Sequence, residues 1–212
     1  MSQLQNVSLT IPAASISGNA LSGNAEILHS QMRQRVLQPF PVNWADFRVW
    51  DAQGSNPVAV AANDDLALLP AAFTASGAST LISAGDCKNL GATTRRVAFF
   101  TAVPAEYDDG ETIQIRIRAF MGTTVASTSC TVDLEAFIVG SSSTVGSDLV
   151  TTAATTMNSL TASDKDFTID AASVNPGDLL LCRLTIACND TATATAVTPT
   201  VSSVVLLCDT RG

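Results

Sequence analysis

The sequence predicts an all-β fold: a jelly-roll-like β-sandwich over residues 46–212, preceded by an extended N-terminal arm over residues 1–45. Three observations lead there. Apolar and polar residues alternate with period two through the second half, Gly, Pro and Asn punctuate the apolar runs, and no long segment carries a helical period. An immunoglobulin-like sandwich satisfies the same pattern, and the absence of a convincing repeat argues against propellers and β-helices.

The arm is read from composition. Residues 8–26, SLTIPAASISGNALSGNAE, are rich in Ser, Asn and Gly with isolated aliphatics. Ile27, Leu28, Met32, Val36 and Leu37 then take a spacing that suits a short helix ending before Pro39. Such a segment buries too little by itself to offset its ordering entropy, so it needs a surface to lie on. That surface is either a neighbouring subunit or the edge of its own sandwich.

The body follows in order. FRVW (47–50) and RRVAFFTAV (95–103) read as strands, and the long irregular stretch between them has room for a short helix. In TIQIRIRAF, Ile113, Ile115, Ile117 and Ala119 share one face, while Gln114, Arg116 and Arg118 share the other. In SCTVDLEAFIV, Cys130, Val132, Leu134, Ala136 and Ile138 alternate with Thr131, Asp133 and Glu135. Folding the two as a hairpin sets Ile117 opposite Val132 and Arg116 opposite Asp133, so one register satisfies both faces. DFTID (166–170), DLLLCRLTIAC (178–188) and VSSVVLLCD (201–209) complete the strands. Asn175-Pro176-Gly177 is a turn, since Pro presets φ and Gly permits positive φ.

Chemistry is sparse. The chain has 212 residues, a net charge of -8, a pI near 4.4 and only 14% charged residues. A negative body without a basic stripe opposes phosphates, so nucleic acid is not an expected partner; Arg33 and Arg35 are too few to change that. No stretch approaches the ~18 apolar residues of a membrane span, and the start lacks a secretory pattern, so synthesis in cytosol is expected. The glycosylation patterns at Asn6 and Asn189 are then chance matches.

Cys87, Cys130, Cys182, Cys188 and Cys208 form no C-x-x-C pair, and His29 is the single histidine, which excludes the usual zinc frameworks. Cys182 and Cys188, about 20 Å apart along one strand, cannot bridge each other, and reduced, packed thiols are expected.

Glu106, Asp108, Asp109 and Glu111 are the densest carboxylates. Glycosidase chemistry needs two acids across a cleft, and a calcium loop needs a spacing that Asp-Asp-Gly-Glu lacks. Asp-Gly before an alternating strand is instead a turn signal. Asp164, Asp166 and Asp170 read as a solvated strand end, with a cation site as the lesser reading. Trp44 and Trp50 read as packing residues rather than a ligand platform, and a 5% aromatic content counts against a sugar-binding groove. His29 lacks a nucleophile context such as G-x-S-x-G. No catalytic, cofactor-binding or metal-binding residue is assigned, and an enzyme is not expected.

Several segments together carry a family resemblance: VNWADFRVWDA, NDDLALL, ATTRRVAFFTAVPAEYDDGETIQIRIRA, GSDLVTTAATTMNSLTASDKDFTI and PGDLLLCRLTIACNDTATATAV. Over residues 40–212 the pattern resembles virion proteins of tailed bacteriophages. That resemblance implies a capsid decoration, or cement, protein: β-rich, a homotrimer, bound to the major capsid protein on the outer capsid surface of the virion after assembly in the host cytoplasm. It transfers no site residues. The alternative expectation is a receptor- or glycan-binding module of a phage head fibre or tail, which requires a groove with exposed aromatics and carboxylates at one end of the sandwich.

Overall fold

A computed structural model describes residues 36–58, 60, 64–69, 80–125, 129–140 and 145–210. Within them the chain is an all-β, jelly-roll-like sandwich of two antiparallel sheets. The strands are β1 (Val36–Pro41), β2 (Phe47–Arg48), β3 (Ala67–Leu69), β4 (Leu81–Ser83), β5 (Gly91–Ala102), β6 (Ile113–Met121), β7 (Cys130–Ile138), β8 (Thr155–Thr156), β9 (Ser163–Thr168), β10 (Leu179–Asp190) and β11 (Pro199–Thr210). Sheet A runs β3-β4-β11-β6-β9, with β1 also on β11; sheet B runs β2-β5-β10-β7-β8. The six longest strands after β1 alternate between sheets, so the chain winds round the core rather than folding back on each sheet.

The two faces expected for each strand are the observed ones. Ile113, Ile115, Ile117 and Ala119 from sheet A meet Val132, Leu134, Leu184 and Ile186 from sheet B, all fully buried. Interdigitation of two such faces about 10 Å apart makes the core. Phe99 of β5 stacks on Phe47 of β2 with ring centroids 4.9 Å apart, which closes one flank of it.

The hairpin between the sixth and seventh strands does not form. β6 pairs with β11 and β9, and β7 pairs with β10 and β8. Arg116 lies opposite Asp166 rather than Asp133, and Asp133 lies opposite Thr185. The reason is physical. Alternation says which face is buried, but both strands bury the same kind of face, so it cannot say whether they share a sheet or oppose each other across the core. The chain leaves sheet A after Met121 and enters sheet B at Cys130. A Cβ at Gly122 would collide with the Thr198 hydroxyl, while Val125 is held by Asn158, which accepts from its N–H at 2.8 Å and donates to its carbonyl at 3.2 Å.

The sandwich also begins earlier than residue 46. β1 extends sheet A along β11, from Val36 opposite Thr210 to Pro41 opposite Val205. Of the two surfaces open to the arm, residues 36–41 use the edge of their own sheet. Val36 and Leu37, expected at the end of a helix, are therefore strand residues; the rest of that helix and of the arm lies outside the described residues. Pro39 and Pro41 are tolerated because, among the described residues, β1 pairs with β11 alone and so stands at the sheet edge. Between Phe47 and β5 the described residues hold β3 and β4 and no helix.

Both turn readings are met. Asp178 N–H donates to the Asn175 carbonyl at 3.1 Å with Gly177 at φ +87°, a type II turn with Pro176 at its second position. Glu111 N–H donates to the Asp108 carbonyl at 3.0 Å with Gly110 at φ +82°.

Candidate binding groove

The carboxylates singled out in the sequence serve structure. The 106–111 acids line the turn that enters β6, and Tyr107 beside them is buried, donating its hydroxyl to the Glu111 carbonyl at 2.7 Å. Burial first, then the charges of Asp109 and neighbours, push the Tyr107 phenol up to about 12. Asp166 receives Arg116 through two bonds, 2.7 and 2.8 Å, and Asp164 receives Arg118 at 3.0 Å, so β9 and β6 are laced on their outer face. The Arg116 guanidinium holds Asp166 below its usual value. Asp170 caps the 3-10 turn Ala171–Ser173, accepting from Ala172 N–H and the Ser173 hydroxyl. Among the described residues no three His, Cys, Asp or Glu side chains converge on a point fit for a metal ion. His29 and Arg33 lie outside them.

The outer face of sheet B is organised differently. Register and alternation place its side chains in cross-strand rows over β5, β10 and β7. The first row is Ala102, Leu179 and Val139; the second is Phe100, Leu181 and Phe137; the third is Ala98, Arg183 and Glu135; the fourth is Arg96, Thr185 and Asp133. One end of the face is thus apolar and its middle is charged. Leu179 and Val139 are 40% and 43% exposed, and Val145 is 61% exposed.

Over the boundary between these zones lies a groove of about 300 Å³, lined chiefly by Trp50, Gln53, Phe137, Val145, Leu181 and Arg183. Trp50 is carried there by the turn after β2, where Val49 and Ala52 form an isolated bridge. Its indole faces the guanidinium of Arg96 at 5.2 Å and that of Arg183 at 5.9 Å. Both are cation–π distances. Arg183 in turn donates to both oxygens of Glu135, at 2.5 and 2.6 Å, and this carboxylate is the main cause of its raised pKa. The arginine forms the polar wall of the groove, and the two bonds to Glu135 fix its orientation. Trp44, paired with Trp50 in the sequence reading, packs on Phe47 instead, ring centroids 5.2 Å apart.

Near this face stand polar groups that the sequence does not flag. Asp65, next to the left-handed Asp64 at φ 73°, is 4% exposed, and its Oδ1 accepts no hydrogen bond. Burial, then the charges of Asp51 and Asp64, raise its pKa. The buried Trp50 Nε1 is likewise without an acceptor. What places the groove is the adjacency of residues 50, 53, 137, 145, 181 and 183, which arises only when β2, β5, β10 and β7 are laid into one sheet in that order.

Sequence comparison finds no matching protein family and no matching curated protein. Among solved structures, the chain is similar to the CBM22-1–GH10 modules of the Clostridium thermocellum endo-1,4-beta-D-xylanase 10B, solved with xylohexaose. The identity is 11% and the TM-score 0.41, over 85% of this chain and 29% of that one. It is also similar to CBM28, a carbohydrate-binding module specific for non-crystalline cellulose, with 12% identity and a TM-score of 0.37 over 78% and 86% of the two chains.

Proposed function

We propose that the protein is a non-catalytic adhesive sandwich of a phage virion, a decoration protein that grips the head shell through the apolar end of sheet B. The observation that carries this is the continuity of Phe137, Leu181 and the groove with exposed Leu179, Val139 and Val145. Exposed aliphatics joined to a half-open apolar groove are the makings of a protein contact, with Trp50 and Arg183 supplying the aromatic and guanidinium anchors common in such interfaces. The surrounding body supports the role. Its core is continuous from sheet to sheet, and its low charge, 14% of residues, keeps desolvation of a contact cheap. The resemblance to tailed-phage virion proteins points the same way and suggests a trimer on the outer capsid surface.

The test is binding of the purified protein to expanded heads made from the cognate major capsid protein without it. Val145→Asp and Leu179→Asp change exposed positions and leave the core alone. Each is expected to weaken shell binding at least tenfold and to remove the gain in heat resistance of decorated heads. Unchanged binding by both variants would sink the reading. Light scattering gives the subunit number, three being expected.

A second reading rests on a separate feature of the groove: an indole, Trp50, set beside the amide of Gln53 and the guanidinium of Arg183, an apolar plate with hydrogen-bonding groups suited to a sugar ring. About 300 Å³ is at the small end of ligand pockets and suits one or two such rings. A glycan array separates the two. Binding lost in Trp50→Ala, with shell affinity nil, supports the glycan module, whereas an empty array refutes it.

A further inference from the structure

We propose that Cys130 and Cys188 are placed to close into a cross-strand disulfide, a covalent staple between β7 and β10 formed when the folded protein meets a peroxide or disulfide oxidant. The five cysteines are all buried and unbridged, but they are not alike. Cys130 and Cys188 are register partners. Their pair type follows from the next rung: Asn189 N–H donates to the Ser129 carbonyl at 3.1 Å, so residues 189 and 129 are a hydrogen-bonded pair. Antiparallel pairs alternate, which makes 188 and 130 a non-hydrogen-bonded pair. There the Cα atoms stand about 4.5 Å apart with side chains at their closest, inside the ~4.4–6.8 Å window of disulfides. Both side chains point into the core, on the same side of sheet B.

The other thiols lack such a partner across a strand. Cys182 lies opposite Ala136 and Phe99, and Cys208 opposite Ile113 and Gln38. Cys87 sits outside the strands, its thiol directed to the Ala84 and Gly85 carbonyls at 3.9 Å each, near enough to Cys188 to interact with it. Cys130 across the strand pair, with burial, pushes the Cys188 thiol up to about 12. Few thiolates exist at neutral pH, so closure is slow and follows local opening rather than direct attack on the closed core. Position favours this: Cys130 begins β7 and Cys188 lies near the end of β10, so fraying at one end of the strand pair frees both. With hydrogen peroxide, one thiol is oxidised to a sulfenic acid as one water leaves. The second sulfur then attacks the first, the S–S bond forms, and a second water departs. With an oxidised disulfide such as glutathione disulfide, two exchange steps give the same bond and two reduced thiols.

The experiment uses the full, reduced chain, held for hours in peroxide or glutathione disulfide without denaturant, then unfolded and alkylated. Intact mass and peptide mapping are read together. The expected result is one disulfide, with two of the five thiols protected and the peptides holding Cys130 and Cys188 joined. The melting temperature should rise by about 10 °C, since the bond closes a long loop. Cys182→Ser and Cys208→Ser should leave the staple intact, while Cys130→Ser should abolish it. Absence of the joined peptide in wild type, or a dominant Cys87–Cys188 bond, would overturn the proposal regardless of how any variant folds.

Discussion

Consider the ion pair that separates the observed strand order from the hairpin that the sequence favours. Arg116 is paired in the structure with Asp166 on β9, through two bonds of 2.7 and 2.8 Å, with side chains 37% and 38% exposed. A hairpin would have given it Asp133 instead. In the Coulomb limits a contact of ~4 Å is worth about 1 kcal/mol in water and about 4 kcal/mol at an effective dielectric near 20. At more than a third exposure the water limit governs, and bidentate geometry puts the pair near the top of the measured range for surface pairs, about 0.5–1 kcal/mol. The assay is a double-mutant cycle, Arg116→Ala with Asp166→Ala, by urea unfolding at pH 7 and low salt, repeated with Asp133→Ala in place of Asp166→Ala. Coupling of about 0.5–1 kcal/mol is expected in the first cycle, fading in molar salt, and coupling within about 0.3 kcal/mol of zero in the second. Coupling confined to the Asp133 cycle would refute the sheet order. The first coupling should also vanish in acid. Asp166 has a lowered folded pKa, so its contribution is present above 3.8, the unfolded value, and is lost as pH falls through the folded one.

Two further outcomes follow from the core and from its buried acid. Phe99→Ala removes a fully buried ring stacked on Phe47 and should cost about 3–5 kcal/mol in urea unfolding, whereas Phe100→Ala, on the outer face of the same strand, should cost clearly less. Asp65 has a raised folded pKa, so the native state holds its proton longer than the unfolded chain does. Stability is therefore greater below 3.8 and declines as pH rises through the folded pKa. Asp65→Asn should flatten that decline, and parallel pH profiles of wild type and variant would show that the carboxyl does not titrate as its burial demands.

The longer strands β5, β6, β7, β10 and β11, their buried faces and the two glycine-bearing turns were legible in the chain itself, because each rests on neighbours a few residues away, whereas the short strands β1, β3, β4 and β8 were not. Ile113 through Ala119 cannot show one apolar face without a pleated strand, and Pro176-Gly177 or Asp109-Gly110 states its turn in two residues. Composition alone likewise carried the low charge and the absence of a basic stripe. Strand partnership was not legible. The choice between Asp133 and Asp166 for Arg116, or between a neighbouring subunit and β11 for residues 36–41, is made by contacts distant in sequence between faces of identical character. The groove belongs to this second class. Trp50 and Arg183 become neighbours only once β10 is seated between β5 and β7, and Cys130 meets Cys188 for the same reason. Local alternation decides what each strand must hide, and only packing of the whole core decides what it hides against.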